Sequence, residues 1–354
     1  MRVSPANRTL LLVGNFPPGA GKVRQVNEDL RDRFETLGWR VLAVSREKHP
    51  LFKFCDILWT VWRFRHHYTA AFIMVYSGRA FFWAQAAGIF LKILRKPYVL
   101  LLHGGGLPDY AERHPEWVRR LFRGARMIIT PSRFLRESIE KTLHSDFRIR
   151  VIPNGIDLGQ YAYRSRENPR PALLWLRAFH EIYAPELAVE TLKHLSADYP
   201  DASLVMIGPD KGDGSLGRTL DLIRRTGLEK NVQIVKGVDH SEVSALLDES
   251  DIFLNTTTLE SFGVSVLEAA AAGMCIISNR VGEIPYLWQD GLEVLLVPGG
   301  DAVQMAQAVK KILSDGSLAS RMSLGCHEKA GRFDWKNIMP QWESVLRDVA
   351  GERT

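Results

Sequence analysis

The chain of 354 residues has few cysteines, no long uninterrupted apolar run and few acidic residues in its first half. Its three cysteines, Cys55, Cys275 and Cys326, are odd in number and lie in no CxxC or His/Cys ligand spacing. This pattern indicates neither a disulfide framework nor a zinc site, and it fits a reducing, cytoplasmic setting. We expect no metal.

The longest apolar run is AFFWAQAAGIFLKIL from Ala80, and Gln85 interrupts it. It is shorter than the roughly 20 residues that a membrane-spanning helix needs, so it predicts a buried helix. TLLLVGNF near the start is too short for the core of a signal peptide and predicts a first strand instead.

The shortage of acidic residues is confined to the first half of the chain. Residues 1–150 hold 26 Lys and Arg against 12 Asp and Glu, whereas residues 151–354 hold 20 against 28. This asymmetry predicts that the first half faces an anionic partner. No nucleic-acid-binding motif accompanies the charge, which leaves an anionic membrane surface or a phosphate-bearing acceptor.

Short apolar segments alternate with helical patterns, which is typical of parallel sheets built from βαβ units. The pattern restarts after the polar stretch YRSRENPRP, residues 163–171. The sequence therefore predicts two doubly wound α/β domains, 1–160 and 161–333, with a helix at about 334–351 that packs back on the first. The predicted strands are TLLLVGNF, WRVLAVS, AAFIMVYS, PYVLLLHGG, ARMIITPS, FRIRVIPN, ALLWLRAF, ASLVMIGP, NVQIVKGV, DIFLNTT, CIISNR and EVLLVPGG. Ligands bind such domains at the carboxyl ends of the strands.

A glycine-rich loop, GNFPPGAGKV, follows the first predicted strand. Glycines such as Gly19 and Gly21 let backbone amides approach a phosphate closely. The loop matches neither G-x-x-x-x-G-K-[ST] nor G-x-G-x-x-G, and a plain tight turn explains it equally well.

His103 begins HGGGLPDY directly after a predicted strand. A neutral imidazole there can hydrogen-bond a hydroxyl or an ionising oxygen. Many histidines serve only the structure, but three glycines after this one indicate that something packs close, and this favours a functional role.

The segment DILWTVWRFRHH lies in a helix predicted to start near Leu51. Lys53, Asp56, Thr60, Arg63 and His67 form one narrow polar stripe, so the rest of the helix is predicted to pack on a sheet. A membrane-surface helix is the alternative, because it also combines apolar area with Arg and Trp. VRRLFRGAR adds basic side chains, for which an ordinary solvated face is the simpler interpretation.

Two further loops bring cations to predicted strand ends. Arg177 follows the strand of ALLWLRAF, and Lys211 lies in the glycine-broken loop IGPDKGDGSL. A guanidinium group pairs with phosphate through two hydrogen bonds, which makes Arg177 a candidate anion ligand.

The stretch ESFGVSVLE places Glu260 and Glu268 eight positions apart around apolar residues. Both glutamates could simply stabilise a helix, Glu260 at its positive end and Glu268 through a salt bridge. Alternatively, the amides of Ser261, Phe262, Gly263 and Val264 form an anion site and the glutamates hold what is attached to the anion. The convergence of Arg177 and Lys211 on the same rim favours this second interpretation.

These stretches resemble retaining glycosyltransferases of family 4, which have the GT-B arrangement of two Rossmann-like domains. The resemblance runs through most of the chain and is densest in ITPSRFLRESI, VIPNGIDL, NVQIVKGV and ESFGVSVLEAAAAG. Glu260 and Glu268 match the family's E-x7-E pair. The resemblance implies a sugar transferred, without a cofactor or metal, from a nucleoside diphosphate sugar to a glycan or lipid-linked acceptor.

The resemblance also implies roles for the site residues. Glu268 would hydrogen-bond the ribose, Arg177 and the amides of 261–264 would hold the diphosphate, and Glu260 would contact the donor sugar. His103 would lie near the reacting centre. Apart from the resemblance, the glycine-rich loop makes Gly19 and Gly21 candidate ligands of the donor phosphates.

One departure from the family pattern is a missing lysine. The family usually has a lysine about five residues after its arginine, but here the sequence reads FHEIYAP. Our hypothesis is that Lys211 substitutes for it. The missing lysine also keeps open a catalytically weak nucleotide-sugar-binding partner subunit, and a nucleotide-sugar epimerase of similar fold is a second alternative.

Overall fold

The computed structural model describes residues 8–16, 26–47, 49–144, 147–236 and 240–351. The chain forms two compact units. One contains the described residues up to Asn154 together with the segment from Lys336 onward, and the other contains Gly155–Trp335.

The first unit is built on a sheet whose six described strands are all parallel, in the order β2-β1-β3-β4-β5-β6. The strands are short and almost wholly apolar, which suits a sheet covered on both faces. They are β1 (Thr9–Val13), β2 (Arg40–Val44), β3 (Ala70–Val75), β4 (Tyr98–Leu102), β5 (Met127–Thr130) and β6 (Ile149–Val151). The helices of this part are α1 (Val26–Thr36), α2 (Pro50–Arg63), α3 (Arg79–Ile93), α4 (Leu107–Arg113), α5 (Pro115–Gly124) and α6 (Arg133–Leu143).

The second unit repeats this design with its own parallel sheet, in the order β12-β11-β10-β7-β8-β9 among the described residues. Its strands are β7 (Ala172–Leu176), β8 (Ser203–Ile207), β9 (Val232–Val235), β10 (Ile252–Asn255), β11 (Cys275–Asn279) and β12 (Leu295–Val297). Its helices are α7 (Pro185–Ser196), α8 (Ser215–Thr226), α9 (His240–Glu249), α10 (Val264–Ala271), α11 (Ile284–Leu287), α12 (Ala302–Ser314) and α13 (Gly316–Ala330). All twelve predicted strands are present in the two sheets, which confirms the predicted class of two doubly wound α/β domains.

The last helix, α14 (Trp335–Ala350), packs on the first unit. The ring of Trp342 meets that of Phe34 edge-on, with centroids 5.6 Å apart. Arg126 donates a hydrogen bond of 2.6 Å to the carbonyl oxygen of Asp348.

The orientation of α2 differs from the sequence prediction. Ile57 and Val61 face the core, but Trp59 and Trp62 face outward, and Lys53 is half-buried and donates to Asn15 Oδ1 at 2.7 Å. Burial lowers the pKa of Lys53. The prediction that the apolar side of this helix packs on the sheet holds for Ile57 and Val61 but was wrong for Trp62, because apolar residues cover more of this helix than one sheet face can bury.

The run from Ala80 was predicted to be a buried helix, but only one side of it is buried. In α3, Phe81, Ala84 and Leu91 lie in the core, whereas Phe82 and Ile93 are exposed. Within the described part of the chain, no helix combines the length and apolar character needed to cross a bilayer.

Candidate active site

The candidate residues of the second unit follow the carboxyl ends of neighbouring strands. Because β11, β10, β7 and β8 are adjacent and parallel, the loops that leave them emerge at one edge of the sheet. Those loops carry Arg177 after β7, Lys211 after β8 and Glu260 after β10.

Arg177 and Glu260 form an ion pair at this edge. Their side chains retain only 16% and 8% of their exposure, so water screens the pair weakly. The guanidinium carbon of Arg177 also lies 5.4 Å from the centre of the Tyr183 ring. The Nε atom of Arg177 is buried and has no hydrogen-bond partner among the described residues. Glu260 and Tyr183 therefore hold the guanidinium in place, and its Nε–H group remains as a hydrogen-bond donor for a ligand.

The backbone around Glu260 is tightly enclosed. The Phe262 amide donates to Glu260 Oε1 at 3.3 Å, and the Glu283 amide donates to the Glu260 carbonyl oxygen at 3.0 Å. Gly282 has a φ of 53°, and a Cβ on it would lie 1.8 Å from that same carbonyl oxygen. Only glycine therefore fits at position 282, and the segment after β11 fixes the loop of Glu260.

Helix α10 begins directly after this loop. Gly263, with a φ of 94°, is its N-cap, and no side chain caps the helix. The first amides of a helix have no partner within the helix and carry its positive dipole end, so they can bind an anion. The Ser265 hydroxyl, in the first turn, is buried and has no hydrogen-bond partner among the described residues.

Glu268 lies in the middle of α10 and is buried. The Tyr161 hydroxyl donates to its Oε1 at 3.1 Å. A buried carboxylate costs free energy unless it is hydrogen-bonded, and Tyr161 supplies one such bond. The sequence gives no local sign of this contact, because the two residues are 107 positions apart.

Lys211 reaches the same edge through its backbone. Its amide donates to the carbonyl oxygen of Phe179 at 3.1 Å, and a Cβ on Gly208 would lie 1.9 Å from the carbonyl oxygen of Arg177. The loops of Arg177 and Lys211 are therefore in direct contact, and the Lys211 side chain is exposed.

Asp213 stabilises the loop that carries Lys211. Partial burial opposes its ionisation, but hydrogen bonds from the amides of Glu181 and Ser215 outweigh this and lower the pKa of Asp213 to about 2. The ionised carboxylate links the loop after β7 to the start of α8.

His103 belongs to the first unit, where it follows β4. Its ring stacks on Tyr76 with centroids 5.6 Å apart, and burial lowers the pKa of His103 to about 4. The imidazole is therefore neutral near pH 7. Gly19 and Gly21, the other candidates of this half, lie outside the described residues.

Three residues that sequence reasoning missed belong to this site: Tyr161, Tyr183 and Ser265. The two tyrosines carry no local motif, but Ser265 stands in the first turn of a helix at a strand end, which is a usable signal. In the part of the chain that the structure describes, no three His, Cys, Asp or Glu side chains group as a metal site would require.

Comparison with known protein families gives two matches. Residues 23–160 match the family model "Glycosyltransferase Family 4", and residues 164–325 match "Glycosyl transferases group 1". The chain is glycosyltransferase family 4-like. The first match contains His103, and the second contains Arg177, Lys211, Glu260 and Glu268.

Among curated relatives of this family 4-like chain is the D-inositol 3-phosphate glycosyltransferase of Corynebacterium diphtheriae. It is 27% identical over 169 residues, which is 47% of this chain and 40% of that protein. The chain thus spans about two fifths of the length of that relative.

Two similar solved structures support the same fold. Anabaena HepE, solved in complex with UDP and separately with UDP-glucose, is 18% identical, and the match to its UDP complex has a TM-score of 0.75 over 96% of this chain and 100% of that chain. Sucrose-phosphate synthase of Thermosynechococcus elongatus is 16% identical and has a TM-score of 0.81 over 98% of this chain and 100% of that chain. These matches confirm the GT-B fold class of the family 4-like chain.

Proposed function

We propose that the protein is a retaining, metal-independent glycosyltransferase. It moves a sugar from a nucleoside diphosphate sugar, with UDP or GDP as the nucleotide, to an acceptor in polysaccharide or glycoconjugate biosynthesis. The acceptor is lipid-linked or otherwise anionic, in keeping with the positive charge of residues 1–150.

The observation that carries the proposal is the pairing of Arg177 with Glu260 beside the N-terminus of α10. The pair holds a guanidinium group in place, and its Nε has no partner among the described residues. An N–H donor that is buried without a partner costs about 1–3 kcal/mol, so a phosphate oxygen that accepts from it is favoured. The UDP complexes of HepE, which shares the fold, support the donor class.

In this proposal the diphosphate binds Arg177, Lys211 and the amides of Ser261, Gly263 and Val264, because the Phe262 amide already donates to Glu260 Oε1. Glu268 accepts hydrogen bonds from the ribose hydroxyls, and Tyr161 keeps its carboxylate oriented. Glu260 contacts the donor sugar while it holds Arg177. In this proposal His103 of the first unit is a neutral hydrogen-bonding group, because burial keeps its pKa at about 4.

The chemistry follows from these positions. As the glycosidic bond breaks, the leaving diphosphate gains negative charge, which a fixed guanidinium and a helix dipole stabilise without reorganising. The acceptor hydroxyl attacks from the same face, and the departing phosphate oxygen takes its proton. This order of steps retains the anomeric configuration and needs no nucleophile from the protein.

Thermal unfolding with UDP, GDP, ADP, CMP and NAD tests the donor site first. A ligand at about 100 times its Kd stabilises a protein by about 2.7 kcal/mol. We expect UDP or GDP to raise the midpoint of wild type and of Glu190→Ala, an exposed control on α7, but not of Glu268→Ala. Stabilisation by none of the five nucleotides would contradict the proposal.

Turnover of the matching UDP- or GDP-sugar then tests the reaction. We expect nucleotide release only with an acceptor, an unchanged rate in EDTA, and a product with the donor's anomeric configuration by NMR. Conversion of the sugar without any acceptor would instead identify an epimerase. Binding without release from any donor would identify an inactive partner subunit.

A further inference from the structure

Helices α2 and α3 carry large apolar side chains on their outer sides. We call Phe52, Trp59, Trp62, Phe82, Ile89 and Ile93 the outer apolar face; these side chains are between 39% and 69% exposed. Residues seven and three or four positions apart lie on one side of a helix. The spacings in both helices therefore give one apolar stripe each.

The two stripes belong to one surface. Helices α2 and α3 pack side by side, and the ring of Phe54 stacks on Phe82 with centroids 5.8 Å apart. The inner sides of the same helices are already buried, through Val61 in α2 and Leu91 in α3. Single exposed apolar residues are ordinary, but a contiguous patch of this kind marks an interaction surface.

The surroundings of this face are strongly basic. Residues 49–97 contain seven Lys and Arg and one acidic residue, Asp56. Arg63 and Lys92, near the ends of α2 and α3, are exposed, and the guanidinium carbon of Arg65 lies 4.7 Å from the centre of the Trp62 ring. Exposed Trp beside Arg and Lys is the combination that suits the boundary between lipid headgroups and acyl chains.

The positive charge also indicates whether this face binds a second copy of the chain or a lipid bilayer. A second copy would bring the same positive surface against itself, because a two-fold interface pairs like with like, and this repulsion opposes association. Helix α3 has 15 residues and is too short to span a bilayer, so it must lie along the surface rather than cross it. We propose that the outer apolar face inserts into the surface of an anionic lipid bilayer while the surrounding Lys and Arg bind the lipid headgroups.

Sedimentation of the full chain with lipid vesicles tests this proposal. The vesicles contain either phosphatidylcholine alone or phosphatidylcholine with phosphatidylglycerol. Trp59→Ser/Phe82→Ser removes the apolar contact, and Arg63→Glu/Lys92→Glu reverses the charge. Val303→Ser/Leu324→Ser is the matched control, because both side chains are 48% exposed and lie on α12 and α13 of the other unit. Circular dichroism and thermal midpoints check that each variant folds.

We expect wild type and control to bind the anionic vesicles at low salt at least tenfold more tightly than either test variant. Binding to phosphatidylcholine alone should be at least tenfold weaker, and high salt should reduce anionic binding. Equal binding by the control and Trp59→Ser/Phe82→Ser, or no binding to anionic vesicles, would overturn the proposal. A lipid-free dimer that Trp59→Ser/Phe82→Ser dissociates would assign the face to a second copy and also overturn it.

The inference does not depend on the proposed function. None of the substituted residues belongs to the candidate active site, so stabilisation by UDP or GDP should be the same in all three variants. If wild type binds anionic vesicles but neither UDP nor GDP stabilises it, the proposed function is contradicted and the membrane proposal is not.

Discussion

Arg177 and Glu260 are 83 residues apart in the chain and form an ion pair at one edge of the second sheet. The pair joins the loop after β7 to the loop after β10, two neighbouring strands. Glu260 is in turn bonded to the Phe262 and Glu283 amides. Arg177 is therefore held by a carboxylate that accepts a hydrogen bond from the Phe262 amide, in a residue whose backbone carbonyl accepts one from the Glu283 amide.

Breaking this pair should cost both stability and activity. We expect Glu260→Ala to lower the free energy of unfolding by about 3 kcal/mol, because it leaves the largely buried Arg177 without its partner. Arg177→Ala should lower turnover of the UDP- or GDP-sugar by about 10²–10³-fold. Urea unfolding and steady-state kinetics measure the two effects.

The double variant and a surface pair serve as controls. Glu260→Ala/Arg177→Ala should be less destabilised than the sum of the single variants, since no charge remains unpaired. Arg224→Ala, which breaks an exposed pair with Asp221, should change stability by less than about 1 kcal/mol and leave turnover intact. If the changes in the free energy of unfolding for Glu260→Ala and Arg177→Ala are strictly additive, the two residues are not coupled.

Gly282→Ala should displace the loop of Glu260. Gly291 is the matched control, because it also has a positive φ, of 76°, but a Cβ there meets nothing within 4 Å. Both alanine substitutions carry a backbone strain of about 1–2 kcal/mol. Only Gly282→Ala should also lose stabilisation by UDP or GDP in thermal unfolding. If UDP or GDP stabilises the two variants equally, the close contact between Gly282 and the Glu260 carbonyl oxygen does not position the nucleotide site.

Tyr161→Phe should weaken nucleotide binding without abolishing it. The substitution removes the hydroxyl that donates to Glu268 Oε1 and leaves the ring in place. Because this bond orients the carboxylate, we expect Kd for UDP or GDP to rise about 3–10-fold, which corresponds to a typical net hydrogen-bond contribution. Isothermal titration measures it, with Tyr199→Phe as a control outside the site. An unchanged Kd would show that Glu268 is oriented by other contacts.

Lys211→Ala tests whether this lysine takes the place of the missing one. Its loop contacts that of Arg177, so we expect turnover to fall at least tenfold, as for loss of a cation that stabilises leaving charge. Lys230→Ala, at an exposed position beyond α8, should leave turnover unchanged. Equal losses of turnover in the two variants would count against the hypothesis that Lys211 takes the place of the missing lysine.

His103 predicts a specific dependence of stability on pH. Burial lowers its pKa to about 4 from 6.5, so between these values the unfolded chain binds a proton that the folded chain does not. Above pH 6.5 the histidine is neutral in both states and does not reduce the free energy of unfolding. As the pH falls from 6.5 towards 4, protonation of the unfolded chain lowers the free energy of unfolding by up to about 3 kcal/mol.

The comparison with His103→Gln isolates this contribution from the other titrating groups. Urea unfolding of both proteins between about pH 7 and 5 should show a stability difference that shrinks as the pH falls. A difference that stays constant over this range would mean that the folded His103 is protonated as easily as a free imidazole.

The sequence by itself determined the strands and the fold class. Most of the twelve strands are short and largely apolar, and such runs are typical of buried parallel strands. It also placed Arg177, Lys211, Glu260 and Glu268 at strand ends or in the helix that follows. These features are local, and local patterns encode them.

The tertiary structure alone decided which of those strand ends are neighbours and what each side chain contacts. The order β12-β11-β10-β7-β8-β9 puts Arg177 beside Glu260, and the fold brings Tyr161 to Glu268 over 107 positions. It also turned Trp59 and Phe82 outward. Periodicity shows that a helix is apolar but not which apolar side the sheet covers, because that choice depends on packing between residues distant in the chain.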